Sequence, residues 1–553
     1  MRRSEEKTGK GKTSGMMGTF FKLANNLKHF RTKMALFFAG ILLLSTQCPG
    51  CGNTEKGSEN GSGNSNGISN GESSMSETDT SAESASTEFQ RELVTSAEAE
   101  DGEMLGKAKV ESSVSGYSGS GYVDGLAADG DGVKISFSVE KEGFYDLDFT
   151  CATSGGYKEN YVFVDGESIG NLTGDTKDFG KVTIPHVYLT AGKHEVKVEK
   201  YWGYALVDRL DVMTAAPFDT SLYDVKVGLS DAKASTNAKK IYQYLKDNYG
   251  KNIISGQYCD EGIFGHEMAV IWKATKKFPA MVGLDMIEYS PSRVANGSQG
   301  KSIDHAIQAW EEGSLVTMCW HWNAPKDYLT GQWYSGFYKE HTNINLDKIM
   351  GGQDQKGYDL LISDMDAIAK ELTKLRDKDV PVLWRPLHEA SGGWFWWGNC
   401  SADSYKKLYR LMYQKFTEEY ELHNLIWVWN GQSADWFPGE DVVDILGIDI
   451  YPGEHVYTSQ YPKYIETAKC SAETRIVTLS ENGCLVDPDL ALRDGAMWSY
   501  FGTWGGEFVT ESKTLNAYSE KYTDEEMLIK VYNHENVITR DELPDFSTYP
   551  VGE

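Results

Sequence analysis

The chain has little positive charge, few cysteines and no long hydrophobic run. Its 553 residues carry 54 Lys and Arg against 81 Asp and Glu, a formal net charge of −27. A protein that binds nucleic acid needs a basic face for the phosphates, so this class is excluded. An acidic surface keeps a protein soluble and suits a neutral ligand such as a glycan.

The cysteines and histidines lack the spacings of common metal sites. Eight cysteines in a chain of this length do not form a disulfide scaffold, and none of those in the folded part is spaced as a zinc ligand. The HE dipeptide at 388–389 is isolated and is not the H-E-x-x-H motif of zinc hydrolases. The sequence therefore gives no support to a metal-dependent hydrolase.

The N-terminal region 1–51 predicts export from a bacterial cell. Its basic stretch leads into an apolar run at 34–44, which is too short to cross a bilayer but suits a signal-peptide core. Cys48 or Cys51 then resembles a lipoprotein processing site, although the residues before each depart from the usual small-residue pattern. We expect a protein that is secreted or held at the cell surface, with a membrane lipid anchor and plain secretion as open alternatives.

The remaining chain predicts a tether and two folded modules. Gly, Ser and Glu dominate 52–92, a composition that favours a flexible linker. Short alternating strands separated by Gly, Asp and Asn follow over 93–215, which indicates an all-β sandwich of the jelly-roll type. Apolar strands alternate with helical segments over 233–540, and eight such units predict a (β/α)8 TIM barrel.

Two glutamates at the start of the β module raise the question of a metal ion. Side chains alternate along a strand, so Glu98 and Glu100 are expected on one face. Two adjacent carboxylates repel unless a cation such as Ca²⁺ neutralises them, and Asp211 in the last strand could complete the ligand set. A pair of solvated glutamates on an exposed edge is the open alternative.

Polar residues in the second module cluster where its predicted strands end. The set comprises His321, Trp322, Arg385, His388, Glu389, Asn430, Asp449, Tyr451, Glu481, Asn482 and Trp504. The carboxyl ends of the strands carry the active site in TIM barrels. Two carboxylates suffice for glycoside hydrolysis, so Glu389 and Glu481 are the candidate catalytic pair and no cofactor is expected for catalysis. The Gly-rich segment GGWFWWG at 392–398 is expected to wall a sugar-binding groove with Trp394, Trp396 and Trp397.

The barrel resembles glycoside hydrolase family 26, which consists mostly of β-mannanases. The resemblance rests on WRPLHEASGGWFWW (384–397), TLSENG (478–483), CWHWNAP (319–325) and FGTW (501–504). It implies a retaining enzyme with Glu389 as acid/base and Glu481 as nucleophile. It further implies that Tyr451 hydrogen-bonds the nucleophile and that Arg385 and His388 orient the end of strand four. Sugar binding beside the cleavage point would fall to His321, Trp394 and Trp504.

The first module is similar to carbohydrate-binding modules of family 35. The similarity rests on the E-x-E start, GYV (121–123), VDG (164–166), AGKHEVKV (191–198) and the closing W-G-x-x-x-V-D-x-L-x-V (202–212). It implies a jelly roll with a structural Ca²⁺ held by Glu98, Glu100 and Asp211. It also implies a sugar site in the loops, for which Trp202 is the candidate platform.

The resemblance leads us to expect a monomeric, extracellular endo-1,4-β-mannanase acting on plant mannan, galactomannan or glucomannan. Two alternatives stay open within the family, a mixed-linkage β-glucanase (lichenase) and a β-1,3-xylanase. A non-catalytic glycan-binding surface protein is the alternative outside it. Both candidate carboxylates are present with their neighbours, which argues against a barrel that has lost its chemistry.

Overall fold

The structure, a computed structural model, describes residues 89–153, 156, 158–174, 177–511 and 515–551. The predicted leader 1–51 and nearly all of the tether 52–92 lie outside the described residues, together with Cys48 and Cys51. Among the helices that are described, none is long and apolar enough to cross a membrane.

The first module is a sandwich of two antiparallel sheets. Its strands are β1 (Leu93–Glu98), β2 (Glu103–Leu105), β3 (Lys109–Glu111), β4 (Tyr122–Asp124), β5 (Gly132–Val139), β6 (Gly143–Thr153), β7 (Lys158–Val164), β8 (Glu167–Gly174), β9 (Gly180–Leu189), β10 (Gly192–Trp202) and β11 (Ala205–Thr214). One sheet has the order β3-β4-β11-β6-β9, with β1 also paired to β11, and the other has the order β2-β5-β10-β7-β8. The predicted β sandwich is confirmed.

Period-two alternation builds the core of this sandwich. In β10, His194, Val196 and Val198 are buried while the residues between them are only half-buried. The neighbouring strand β5 in the same sheet alternates in the same way, with Val196 of β10 paired to Ile135 of β5. Each strand therefore presents one apolar face to the opposing sheet, as successive side chains point to opposite sides.

The second module is a closed barrel of parallel strands. They are β13 (Gly256–Tyr258), β14 (Met281–Asp285), β15 (Leu315–Trp320), β16 (Val382–Pro386), β17 (Leu425–Trp429), β18 (Ile445–Ile450), β19 (Ile476–Asn482) and β20 (Phe501–Thr503). A separate parallel pair, β12 (Ile253–Ile254) with β21 (Val537–Ile538), brings the two ends of the module together. Strands β15, β16, β17 and β19 are buried along their whole length, as expected for parallel strands covered by helices.

Helices surround the barrel. They are α1 (Thr236–Asn248), α2 (His266–Thr275), α3 (Pro291–Val294), α4 (Ser302–Glu311), α5 (Leu346–Met350), α6 (Gln355–Arg376), α7 (Ala402–Gln414), α8 (Tyr461–Ala468), α9 (Pro488–Asp494) and α10 (Glu525–Tyr532). The longest, α6, starts where the Asp354 side chain accepts a hydrogen bond from Gly357 N. Its buried residues Leu361, Met365, Ile368 and Leu372 recur every three or four positions and face the barrel.

The two modules contact each other through β9 and α8. The ring of His186 lies between those of Phe144 and Tyr461, with centroid distances of 3.9 and 4.3 Å. The Arg493 guanidinium lies 4.7 Å from the ring centroid of Tyr188. Burial lowers the pKa of His186, so the neutral imidazole is favoured in this aromatic stack.

Candidate active site

The carboxyl ends of the barrel strands bring together most of the polar residues singled out in the sequence. Asp285 ends β14, His321 follows β15 directly, and Arg385 lies near the end of β16. Asp449 and Glu481 lie at the ends of β18 and β19. Because the strands are parallel and in one barrel, these side chains point into a single cleft.

Glu389 lies just beyond β16 in a backbone conformation that few side chains adopt. Its φ is +53°, and its main-chain N–H donates to the carbonyl of Asn430 over 2.8 Å. The side chain is 3% exposed and its Oε2 accepts a 2.9 Å hydrogen bond from Trp394 Nε1. Burial, with the negative charges of Asp449 and Glu481, raises the pKa of the Glu389 carboxyl well above its ordinary value, while the Trp394 N–H acts in the opposite direction. The site therefore favours the protonated acid at this position.

Glu481 differs from Glu389 because two hydrogen-bond donors, one of them charged, contact its carboxylate. Oε1 accepts from Arg385 Nη2, and Oε2 accepts a 2.7 Å hydrogen bond from the Tyr451 hydroxyl. Burial raises the pKa of Tyr451 well above its ordinary value, so the phenol keeps its proton and remains a donor. A charged donor and a hydroxyl on separate oxygens stabilise a carboxylate anion.

Arg385 links the carboxylates into one network. It is fully buried, and its Nη1 donates to Asp449 over 2.9 Å. Its Nη2 also donates to the hydroxyl of Tyr258 over 3.1 Å. One carboxylate oxygen each from Glu389, Asp449 and Glu481 lie within 4.8 Å of one another. The guanidinium offsets the repulsion between the buried carboxylates of Asp449 and Glu481, both of which it contacts.

His321 and His388 form a hydrogen-bonded pair, and His388 directly precedes Glu389 in the chain. His321 Nδ1 lies 2.6 Å from Asp285 Oδ2, and the two Nε2 atoms lie 3.1 Å apart. Burial, Arg385 and His321 lower the pKa of His388, which keeps this imidazole neutral. The pair is enclosed by aromatic rings, including that of Trp504, whose centroid is 5.9 Å from that of His321.

The tryptophans of the GGWFWWG segment separate into two groups. Trp394 is half-buried and holds Glu389, whereas Trp396 and Trp397 are fully buried. Their indole N–H groups donate to the carbonyls of Trp322 and His388 over 2.7 and 2.8 Å. The prediction that all three wall the groove is therefore wrong for Trp396 and Trp397, which are buried beneath the loop with the acceptors that buried indole N–H groups need.

The carboxylate cluster of the first module contains Asp208 in place of Asp211. One oxygen each from Glu98, Glu100 and Asp208 lie within 4.8 Å of one another. Asp211 is instead bound by Ser96, Lys181 and Arg209. The predicted ligand Asp211 is thus corrected, because a bulge between Val207 and Arg209 breaks the period-two pattern of β11 and turns Asp208 toward the glutamates.

The positions of Glu100 and Trp202 bear on two further expectations for this module. Glu98 ends β1, but Glu100 lies in the following 3-10 turn, so the two do not share a strand face as predicted. Trp202 ends β10 with 48% of its surface exposed, and Lys158 Nζ lies 5.5 Å from its ring centroid. Trp202 is therefore a surface side chain, not part of the sandwich core.

Three residues of these sites were not selected from the sequence. Asp285 ends the apolar run PAMVGLD, a signal of the same kind that selected Asp449. Asp208 is the aspartate of the V-D pair in the closing motif of the first module. Tyr258 carried no comparable signal, because a tyrosine at the end of a short first strand is indistinguishable from a core residue.

Comparison with known proteins places both modules in families. The model described as glycosyl hydrolase family 26 matches residues 230–542. The model described as carbohydrate binding module (family 35) matches residues 95–215.

Proteins named as mannan endo-1,4-beta-mannosidases align with most of the chain. The chain is 37% identical to a mannan endo-1,4-beta-mannosidase of Thermothelomyces thermophilus over 81% of its own length and 90% of that protein. It is 33% identical to mannan endo-1,4-beta-mannosidase B of Piromyces sp over 81% of its length and 77% of that protein. A crystal structure of the Podospora anserina GH26-CBM35 beta-(1,4)-mannanase, 34% identical, aligns with a TM-score of 0.58 over 82% of this chain and 99% of that one. The chain therefore belongs to glycosyl hydrolase family 26 and carries a family 35 carbohydrate-binding module before its catalytic barrel.

Proposed function

We propose that this glycoside hydrolase is an endo-1,4-β-mannanase that cleaves mannan, galactomannan and glucomannan by a retaining, two-step mechanism. The observation that carries the chemistry is the contrast between the two carboxyl groups. Glu389 is buried beside two other carboxylates, while Glu481 is bound by Arg385 and Tyr451. The substrate is proposed from the names of the relatives, which are mannan endo-1,4-beta-mannosidases.

In the first step, Glu389 acts as the acid and Glu481 as the nucleophile. The Glu389 proton passes to the glycosidic oxygen as the bond to the anomeric carbon breaks, and a Glu481 oxygen forms a bond to that carbon. Arg385 and Tyr451 hold Glu481 in place, and Trp394 orients Glu389. The separation of 4.8 Å or less between oxygens of the pair supports direct attack, because an inverting pair lies about 6.5–9.5 Å apart.

In the second step, the roles of Glu389 reverse. The leaving group departs with the proton, and the Glu389 carboxylate takes a proton from a water molecule that attacks the same carbon. The bond to Glu481 breaks and the sugar leaves with its original anomeric configuration. No cofactor is needed in either step.

Product analysis tests this proposal. The purified protein is incubated with glucomannan, galactomannan, barley β-glucan and β-1,3-xylan, beside the variants Glu481→Gln and Glu312→Gln. Glu312 is exposed just after α4 and precedes the amino end of β15, whereas the candidate site lies at the carboxyl ends, so it serves as a matched control. We expect manno-oligosaccharides from the first two polymers, lost in Glu481→Gln and kept in Glu312→Gln. Cleavage of β-glucan or β-1,3-xylan alone would keep the mechanism and overturn the substrate.

We further propose that Glu98, Glu100 and Asp208 hold a structural Ca²⁺ in the binding module. Glu100 Oε2 is buried and has no hydrogen-bond partner among the described residues, which supports a cation there. Burial raises the pKa of Asp208, and a divalent ion would compensate for the charge of the three carboxylates. The ion would fix the turn after β1 and take no part in hydrolysis.

Trp202 is proposed as a platform for a sugar ring in the same module. Its indole and the neighbouring Tyr204 are exposed by 48% and 55%, which supports stacking against a flat glycan face. Trp202→Ala should weaken retention of the protein in mannan-containing gels while leaving kcat on short soluble oligosaccharides unchanged. Unaltered retention would remove this assignment.

Export is proposed from the sequence of residues 1–51. The apolar run at 34–44 and the two cysteines beyond it support a signal peptide, with or without a lipid. Labelling of bacterial cells with a radioactive fatty acid, in wild type, Cys48→Ala and Cys51→Ala, separates the two cases. Loss of label in one cysteine variant identifies the anchor, and absence of label in wild type supports plain secretion.

A further inference from the structure

Three side chains at the ends of consecutive barrel strands form a continuous hydrogen-bonded line. Asp285 ends β14, His321 follows β15, and His388 follows β16. Asp285 Oδ2 lies 2.6 Å from His321 Nδ1, and His321 Nε2 lies 3.1 Å from His388 Nε2. The two imidazoles are 4% and 1% exposed. We refer to Asp285, His321 and His388 as the relay; it ends one residue before Glu389.

The backbone fixes the direction in which Asp285 points. Its Oδ1 accepts hydrogen bonds from the main-chain N–H groups of His321 and Ile287, over 3.1 and 2.9 Å. Its Oδ2 faces His321 Nδ1. A carboxylate can only accept, so His321 Nδ1 carries a hydrogen in this arrangement.

The proton on Nδ1 determines the tautomers of both rings. A neutral His321 with Nδ1–H has a bare Nε2, so the short contact requires His388 to donate from its own Nε2. His388 Nδ1 is then a bare acceptor, and this atom is buried without a partner among the described residues. The reverse direction would leave a buried N–H unsatisfied at that place, and native structures rarely tolerate an orphaned donor.

The short contact distinguishes the relay from a metal site. Asp285, Cys319 and His321 approach each other closely enough to suggest ligands. Two ligand atoms on one tetrahedral zinc lie about 3.3 Å apart, given bond lengths of about 2.0–2.1 Å. The distance between Asp285 Oδ2 and His321 Nδ1 is 2.6 Å, which is that of a charge-assisted hydrogen bond.

The relay ends at a strained segment of the main chain. Leu387 and Glu389, on both sides of His388, have φ values of +52° and +53°. Non-glycine residues in this region cost on the order of 1 kcal/mol or more each and persist only when their surroundings hold them. The side chain of His388 is held by His321, and its carbonyl is held by Trp397 Nε1.

We propose that Asp285 is a positioning residue that sets the tautomers of His321 and His388 and thereby holds the segment that aims Glu389. The proposal rests on the function assigned to Glu389 above. It also changes the role expected for His321. Both of its ring nitrogens are bound within the protein, so His321 serves the relay and offers a sugar only its carbon edge.

The variant Asp285→Asn tests the proposal because it keeps the shape of the side chain. Its amide oxygen can still accept from the main chain at His321 and Ile287, which leaves the NH2 group facing His321 Nδ1. His321 must then accept through Nδ1 and carry its proton on Nε2. That proton faces the Nε2–H of His388, so the hydrogen bond between the two rings is lost. Misplacement of a reacting group by about 1 Å can cost about 100-fold, so we expect kcat on soluble manno-oligosaccharides to fall by about 10- to 100-fold, with KM changed less than about twofold.

Nuclear magnetic resonance supplies a readout that a purely structural role would not move. In protein labelled with 15N-histidine, the resonances of His321 and His388 are assigned with the variants His321→Gln and His388→Gln. We expect Nδ1–H on His321 and Nε2–H on His388 in the wild type, and Nε2–H on His321 in Asp285→Asn. Asp304→Asn, an exposed carboxylate on α4, is the control and should change neither spectrum nor kcat.

Two results overturn the proposal. A wild-type His321 that carries its proton on Nε2 contradicts the relay whatever the activity. A wild-type kcat in Asp285→Asn shows that the tautomers do not matter for Glu389. Failure of the wild type to cleave mannan would instead remove the proposed function, and the tautomer of wild-type His321 would still decide whether the relay exists.

Discussion

Replacing Trp394 with phenylalanine removes a single hydrogen bond to the proposed acid, and its effect on pH dependence has a definite sign. In the wild type, Trp394 Nε1 donates to Glu389 Oε2 over 2.9 Å. This bond stabilises the carboxylate and lowers the pKa of Glu389, against the larger effect of burial that raises it. Without the bond, the protonated acid persists to higher pH.

The size of the effect follows from the bond that is lost. A hydrogen bond to a charged group contributes about 1.5–3 kcal/mol, and one pKa unit corresponds to about 1.4 kcal/mol. Trp394 is half-buried, so we take the lower figure and expect a shift of about one pH unit. Because the first step needs protonated Glu389, the alkaline limb of kcat/KM should move upward by that amount in Trp394→Phe.

The assay is the pH profile of kcat/KM on a soluble manno-oligosaccharide at substrate concentrations far below KM. Trp504→Phe is the matched control, since it makes the same replacement in the cleft at an indole with no hydrogen bond to either carboxylate among the described residues. Its limb should stay where it is in the wild type. An alkaline limb that stays fixed or moves downward in Trp394→Phe would refute the assignment of Glu389 as the acid.

Three further predictions follow from the network, the cation site and the junction. Arg385→Leu leaves buried carboxylates without their cation and should lower the free energy of unfolding by about 3–5 kcal/mol in urea titration. Added Ca²⁺ at about 100 times its dissociation constant should stabilise the binding module by about 2.7 kcal/mol in calorimetry. Asp208→Ala should abolish that gain and Asp211→Ala should keep it, with the reverse pattern contradicting the corrected ligand set. Tyr461→Ala removes the ring stacked on His186 and should lower the free energy of unfolding by about 0.5–1.5 kcal/mol more than the loss of buried apolar area accounts for. In calorimetry, the first unfolding transition should then occur at a lower temperature. An unchanged calorimetric trace would show that the stack is not stabilising.

The fold could be predicted from the sequence because the hydrophobic pattern of the strands in each module shows which of their faces are buried. Alternation in β5 and β10 marks a sheet with one buried face, and the continuous apolar runs of β15 and β19 mark strands buried on both faces. Polar residues at strand ends predicted the cleft because parallel strands share an orientation. Glu389 and Glu481 could thus be paired although the chain between them is long.

The wrong predictions arise where the hydrophobic periodicity and the composition of a segment do not determine which way a side chain points. A bulge in β11 shifts the count by one residue, so Asp208 replaces Asp211 in the carboxylate cluster. The Gly-rich segment after Glu389 suggested an exposed loop, yet Trp396 and Trp397 are buried and donate to the carbonyls of Trp322 and His388. Neither the bulge in β11 nor the carbonyl acceptors beneath the loop can be read from periodicity or composition.

In the proposed mechanism, Glu481 attacks the anomeric carbon and Glu389 serves first as acid and then as base. Proton NMR of mannopentaose during cleavage, recorded faster than the product mutarotates, tests it most directly. Two displacements retain the configuration, so the new reducing end should appear first as the β anomer, and the α anomer should grow in only by mutarotation. Initial appearance of the α anomer would mean a single displacement by water and would contradict the proposed mechanism.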